Sequence, residues 1–141
     1  MRFTITGIDG PKQLADLAPL ETDLLRQIAG PDRPDYWIAA LQSPITIVID
    51  NFDHTVTHLI LAARWEGTNI TNGVLHLPVG IAYVTDLSLL EDSTLDFAKC
   101  NYVAIGLGSD TSDGKPAEQL HKPMVGTIGR TFGLGGRNSD T

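Results

Sequence analysis

Asp53, His54 and His58 are the first residues whose types suggest chemistry. Two imidazoles four positions apart, beside a carboxylate, can ligate a metal when a helix carries them. The intervening Thr55, Val56 and Thr57 are β-branched and argue for a strand instead. On a strand the two histidines lie about 13 Å apart at ~3.3 Å per residue, too far for one ion without a third element. The residue after His54 is Thr55, so the glutamate base of a His-Glu-x-x-His site is missing too. His76 and His121 have no spacing that brings them to the pair. No metal or other cofactor is expected.

Cys100 follows Lys99, whose charge favours a thiolate, but it lacks a neighbouring histidine and precedes a buried-looking strand. It reads as a structural cysteine. In Gly106-Leu107-Gly108-Ser109-Asp110 both glycines precede the serine, which is not a nucleophile elbow. The glycine-rich stretch 126–137 lacks a Gly-Lys-Ser/Thr and opens no helix, so it fits neither a phosphate loop nor a dinucleotide fingerprint. Asn69-Ile70-Thr71 matches a glycosylation acceptor but sits among turn formers. With no paired acid and base, metal set or phosphate loop, these residues argue against an enzyme.

Recognition character is stronger than catalytic character. Tyr36-Trp37 follows the proline-flanked link Pro31 to Pro34, and Arg64-Trp65-Glu66 stands at a strand end. Trp and Arg are enriched at protein-binding hot spots. Together with His54 and His58 these are the candidate binding residues, set against the plainer reading that both indoles cap the core.

The elements that must position them are read from periodicity. Residues 2–8 alternate as a half-buried strand, Phe3 and Ile5 on one side. Leu14, Leu17, Ala18, Leu20, Leu24, Leu25 and Ile28 recur at three- and four-residue spacing, which predicts an amphipathic helix over 11–29, split at Pro19. Tyr36 to Leu41, Ile45 to Asp50, Thr55 to Trp65 and Val74 to Val84 read as strands, with breaks at Ser43-Pro44 and at residues 51–54. Residues 85–100 read as a short helix or packed loop, and Tyr102 to Leu107 as a last strand. The expected fold is α+β: an N-terminal strand and split helix packed on a twisted, mainly antiparallel sheet of about five to six strands. A single domain is expected over 1–135. Residues 124–134 are expected to pack on it, and 136–141 to be a flexible tail.

Size and charge bound the function. The chain has 141 residues and a net charge of −7. Residues 1–114 hold 15 acids against 6 bases, a net of −9, whereas residues 115–141 carry a net of +2. An acidic body repels nucleic-acid phosphates and anionic lipid, so neither is an expected partner. Apolar runs such as Leu59 to Ala63 fall short of the roughly 20 residues of a membrane span. No signal-peptide pattern opens the chain and one cysteine makes no intrachain disulfide, so a cytoplasmic location is expected. These features point to a small acidic protein-binding module, of the kind that neutralises a basic bacterial toxin as an immunity or inhibitor protein. The alternative is a small-molecule-binding protein or small enzyme with a pocket between sheet and helix, near His54, His58, Arg64 and Glu66. A homo-oligomer pairing through Tyr102 to Leu107, or by exchange of the glycine-rich tail, is a further option.

Overall fold

The computed structural model describes residues 1–65 and 67–113. Six strands carry the chain: β1 (Arg2–Ile8), β2 (Leu20–Ile28), β3 (Tyr36–Ile49), β4 (Phe52–Ala63), β5 (Leu77–Val84) and β6 (Cys100–Asp110). Each pairs antiparallel with the next, and β1 returns to pair with β6, so the sheet closes into a barrel. The expectation of an α+β fold is thus corrected to an all-antiparallel barrel. Its only α-helix among the described residues is α1 (Lys12–Ala15), a single turn.

The split helix expected over 11–29 is mostly strand β2. Leu20, Leu24 and Ile28 are buried and four apart, a spacing that the period of a strand satisfies as well as that of a helix. Thr22 decides between them. It is fully buried and donates its hydroxyl hydrogen to the Phe3 carbonyl at 2.7 Å, so the inward row is Leu20, Thr22, Leu24, with a polar member that hides the alternation. A register shift after Leu24 then turns Ile28 to the outer face, where it pairs with Tyr36.

The segments expected as separate strands around Ser43-Pro44 are one strand. β3 runs through with a bulge, its partner register moving from Ala40↔His58 to Ile45↔Val56. Pro44 has no N–H to offer a ladder, and a bulge is where a strand tolerates it. The turn before β4 is also shorter than expected. Asp50 and Asn51 both have positive φ, 52° and 69°, and Ile49 pairs directly with Phe52, so the turn takes two residues.

Inward side chains from all six strands fill the barrel, among them Phe3, Ile5, Leu24, Ala39, Leu59, Leu61, Val79, Ile81 and Ala104. The inward glycines of β6 make room for them. A Cβ at Gly106 would lie 3.0 Å from Ile81 Cδ1 and 3.2 Å from Ile5 Cγ2, and one at Gly108 would overlap the Phe3 ring. A second apolar cluster lies outside the barrel. Ile28, Ile38, Ile60 and Val84 project outward and are covered by Leu89 and Leu95 of the β5–β6 connection. That connection, two 3-10 turns at Leu87–Glu91 and Phe97–Lys99, is tied to β2. Leu95 N donates to the Ala29 carbonyl, and Arg26 donates to the carbonyls of Leu90 and Asp92. Burial on both faces explains why Leu59 to Ala63 and Val79 to Val84 are so continuously apolar. No helix among the described residues is long and apolar enough to cross a membrane.

Candidate functional site

The covering segment spans only part of the outer apolar face. It reaches Ile60 and Ala82 but stops short of Ala62 and Gly80, their neighbours across β4 and β5. These small residues floor a groove of about 190 Å3, walled by Tyr36 and Tyr102 and flanked by Asp32, Arg33 and Arg64. Small side chains on this face permit the walls to stand proud. Tyr102 is 66% exposed, and a Cβ at Gly80 would touch its ring at 3.5 Å.

Tyr36 is fixed from three sides. Its hydroxyl donates to the carboxylate of Asp32 at 2.9 Å, its ring meets Phe97 edge to face at 5.8 Å between centroids, and it lies over Gly30, where a Cβ would come within 2.5 Å of Cε2. Burial, then the bond to Asp32, push its phenol up to about 12. Arg33 makes a two-pronged ion pair with Asp35 and donates to the Ala63 carbonyl at 2.7 Å, which anchors the β2–β3 link to the end of β4. The hydrogen bond from Arg33 holds the Asp35 carboxyl below the ordinary carboxylate value. Beyond the groove, the Arg64 guanidinium stacks over Trp65, 4.8 Å from its centroid, and Trp65 is 58% exposed.

The residues singled out from the sequence are scattered among three places. Tyr36 and Arg64 border the groove and Trp65 follows directly. Trp37 faces into the barrel, paired with Leu61, with its Nε1 buried and unpartnered among the described residues. His54 stands near the tip of the β3–β4 hairpin opposite Ile47, whereas His58 lies opposite Ala40 beyond the bulge. Burial lowers the His58 pKa and so favours the neutral ring. Among the described residues no cluster of His, Cys, Asp or Glu could hold a metal. Glu66 and His121 lie outside the described residues, as do the expected packing of 124–134 and the tail. Among the described residues no helix packs near His54, His58 and Arg64, and the two histidines do not line the groove that Arg64 borders. The Cys100 thiol, donating weakly to the Phe97 carbonyl, is pushed up by burial and then by Asp96, against a role as nucleophile.

Several residues carried no signal as isolated letters: Asp32, Arg33 and Tyr102, which line the groove, and Phe97, which packs on Tyr36. What could have marked them is the run of small residues at Ala62, Gly80 and Ala82 in otherwise bulky strands, since a face lined by small side chains leaves room for something else. A second cleft of about 390 Å3 lies where Leu17, Pro19 and Leu20 approach the β3 bulge. Two of its polar side chains are engaged elsewhere: Glu21 pairs with Arg2, and the Gln42 amide donates to Asp23. No protein-family model, curated protein or solved structure matches the chain.

Proposed function

We propose that the chain is a protein-binding module that docks a basic partner segment on the outer groove of the barrel. The observation that carries this reading is the groove left where the covering segment ends, walled by Tyr36 and the exposed Tyr102, with two more exposed aromatic side chains near it: Phe97, which packs on Tyr36, and Trp65, beneath Arg64. An aromatic anchor in a small-residue groove is the arrangement of an interface hot spot. The surroundings supply the sign of the partner's charge. Asp32 lines the groove, and the adjoining segment 86–99 carries Asp86, Glu91, Asp92 and Asp96 against the single base Lys99. Arg33 is neutralised by Asp35, and the one positive charge of Arg64 is outnumbered by Asp32 and the acids of segment 86–99.

Size disfavours a small-molecule site in this groove. Ligand pockets usually hold roughly 300–1,000 Å3 and bury most of the ligand, whereas the groove is a surface feature of about 190 Å3. A flat, aromatic-walled face of this kind suits a protein segment that adds contacts beyond the groove itself. Neutralisation of a basic toxin would be one use of such a face.

The test is a photo-crosslinking residue at position 102 in the producing cell, with the same residue at position 12 on α1 as control. The reading requires a discrete adduct at 102, absent at 12, whose partner is a basic protein. Adducts equal at the two positions, or an acidic partner at 102, would sink it.

A further inference from the structure

Barrel closure removes the free edges of a sheet, including the Tyr102 to Leu107 edge that the sequence suggested for self-pairing: β6 is paired on both sides. The β3–β4 hairpin escapes this because it outruns its neighbours. β4 pairs with β5 only from Leu59 to Ala63, and β3 pairs with β2 only from Tyr36 to Leu41. Ile45 to Ile49 and Phe52 to Val56 therefore pair only with each other, while Ile45, Ile47 and Val56 still turn their side chains into the barrel core.

The hairpin's two edges differ. On the β3 side the Gln13 side chain caps Val48, donating to its carbonyl at 3.0 Å and accepting from its N–H at 2.9 Å. That contact also sets the phase of the ladder. Val48 turns its N–H and C=O away from β4, so the bonds between the strands run through Ile45↔Val56, Ile47↔His54 and Ile49↔Phe52. By the same alternation Asp53, Thr55 and Thr57 turn their amides and carbonyls away from β3. No described residue meets them there, since β5 does not reach that far. Natural proteins blunt such an edge with charged side chains or proline; residues 52–58 hold no lysine, arginine or proline, and one carboxylate, Asp53.

We propose that this edge of β4 pairs with the same edge of a second copy of the chain, antiparallel about a two-fold axis at Thr55. The register is self-selecting. With the axis at Thr55, Thr55 faces itself and Asp53 faces Thr57 of the second copy, so each carboxylate meets a hydroxyl. An axis at Asp53 would set two carboxylates directly opposite, and one at Thr57 would run into Leu59, which β5 already occupies. In the favoured register the Phe52 ring, 71% exposed, lies opposite His58 of the second copy. A strand pair of this length covers less than the ~800 Å2 per partner of a standard interface, so association is reversible and needs high concentration. Both copies are acidic, so salt should strengthen the pairing by screening their repulsion. Docking of a basic partner responds to salt in the opposite sense, which keeps the two surfaces distinguishable.

Sedimentation velocity at about 10 and about 500 µM, in low and in moderate salt, reads the association. The expected result is a shift from monomer towards dimer with concentration, larger in the higher salt; a monomer under every condition overturns the proposal. Cross-linking reads the register. In a Cys100→Ser background, Thr55→Cys should oxidise to an interchain dimer, because opposed residues at a hydrogen-bonded antiparallel position stand about 5.5 Å apart between Cα atoms. Thr57→Cys alone should form no interchain disulfide, because a two-fold there is blocked by the pairing of Leu59 with β5, and Asp53→Cys with Thr57→Cys should cross-link again. No interchain disulfide from Thr55→Cys, or equal cross-linking from the single variants at 55 and 57, contradicts the two-fold at Thr55.

Discussion

Gly108→Ala is a one-carbon change that interrogates closure of the barrel. Gly108 pairs with Ile5 of β1 and Leu77 of β5, and its missing side chain leaves the space that the Phe3 ring fills. Phe3 is fully buried, so the ring has nowhere to move. In an open strand interior, replacing glycine by alanine gains about 0.5–1 kcal/mol. Overpacking a filled core costs about 1–3 kcal/mol or more, and the overlap here involves ring atoms at the steep end of that range. The net expectation is a loss of about 2 kcal/mol. Gly7→Ala supplies the control, since a Cβ there meets nothing within 4 Å. That variant should be neutral or slightly stabilised. Urea denaturation with unchanged slope gives both values. Adding Phe3→Leu to Gly108→Ala should restore part of the loss, so the double variant is more stable than the sum of the singles implies. Equal midpoints for Gly108→Ala and Gly7→Ala, or strict additivity with Phe3→Leu, would refute the packing of β1 against β6 that closes the barrel.

Two further outcomes test the groove's supports. Asp35→Asn should cost about 2 kcal/mol near neutral pH, as expected for loss of a charge-assisted pair that is mostly buried. Because the folded carboxyl lies below its unfolded value, that contribution is complete above the unfolded pKa and lost as pH falls through the folded one. Denaturation of parent and variant should therefore converge in acid; a gap that persists at low pH contradicts the pairing. Tyr36→Phe should remove a tyrosinate absorbance transition centred near pH 12. Because the phenol is raised from its usual 10, the stability it contributes is complete below pH 10 and falls between 10 and 12. A difference titration centred near 10 would show that Tyr36 is not held against Asp32.

The strands were legible where alternation was clean. β1 carries Phe3 and Ile5 on the inward side, and Arg2 to Ile8 is both the expected and the observed element. β6 likewise contains the expected Tyr102 to Leu107. β2 was not legible because Leu20 and Leu24 satisfy two periods at once, Ile28 keeps the helical spacing only through a register shift that moves it to the outer face, and the inward Thr22 looks polar until its partner, the Phe3 carbonyl, is known. Closure was hidden for a different reason. It depends on Phe3 meeting Gly108 across more than a hundred residues, and no local pattern encodes that pair. For the candidate site, Tyr36, Arg64 and Trp65 stood out by type, but their relation to Tyr102 and Phe97 follows from the β5–β6 connection folding over the outer face. Trp37, next to Tyr36 in sequence, points the opposite way because neighbours on a strand do.

The most direct test of the docking reading is the binding kinetics of the partner cross-linked at position 102, measured at two ionic strengths for the parent chain and for Tyr102→Ala. If the groove is the anchor and the acidic rim steers a basic partner, association should slow steeply as salt rises while dissociation changes less. Tyr102→Ala should instead speed dissociation by about tenfold or more, the scale of a hot-spot residue, with its salt dependence of association unchanged. An association rate indifferent to salt, or an affinity untouched by Tyr102→Ala, would contradict the account.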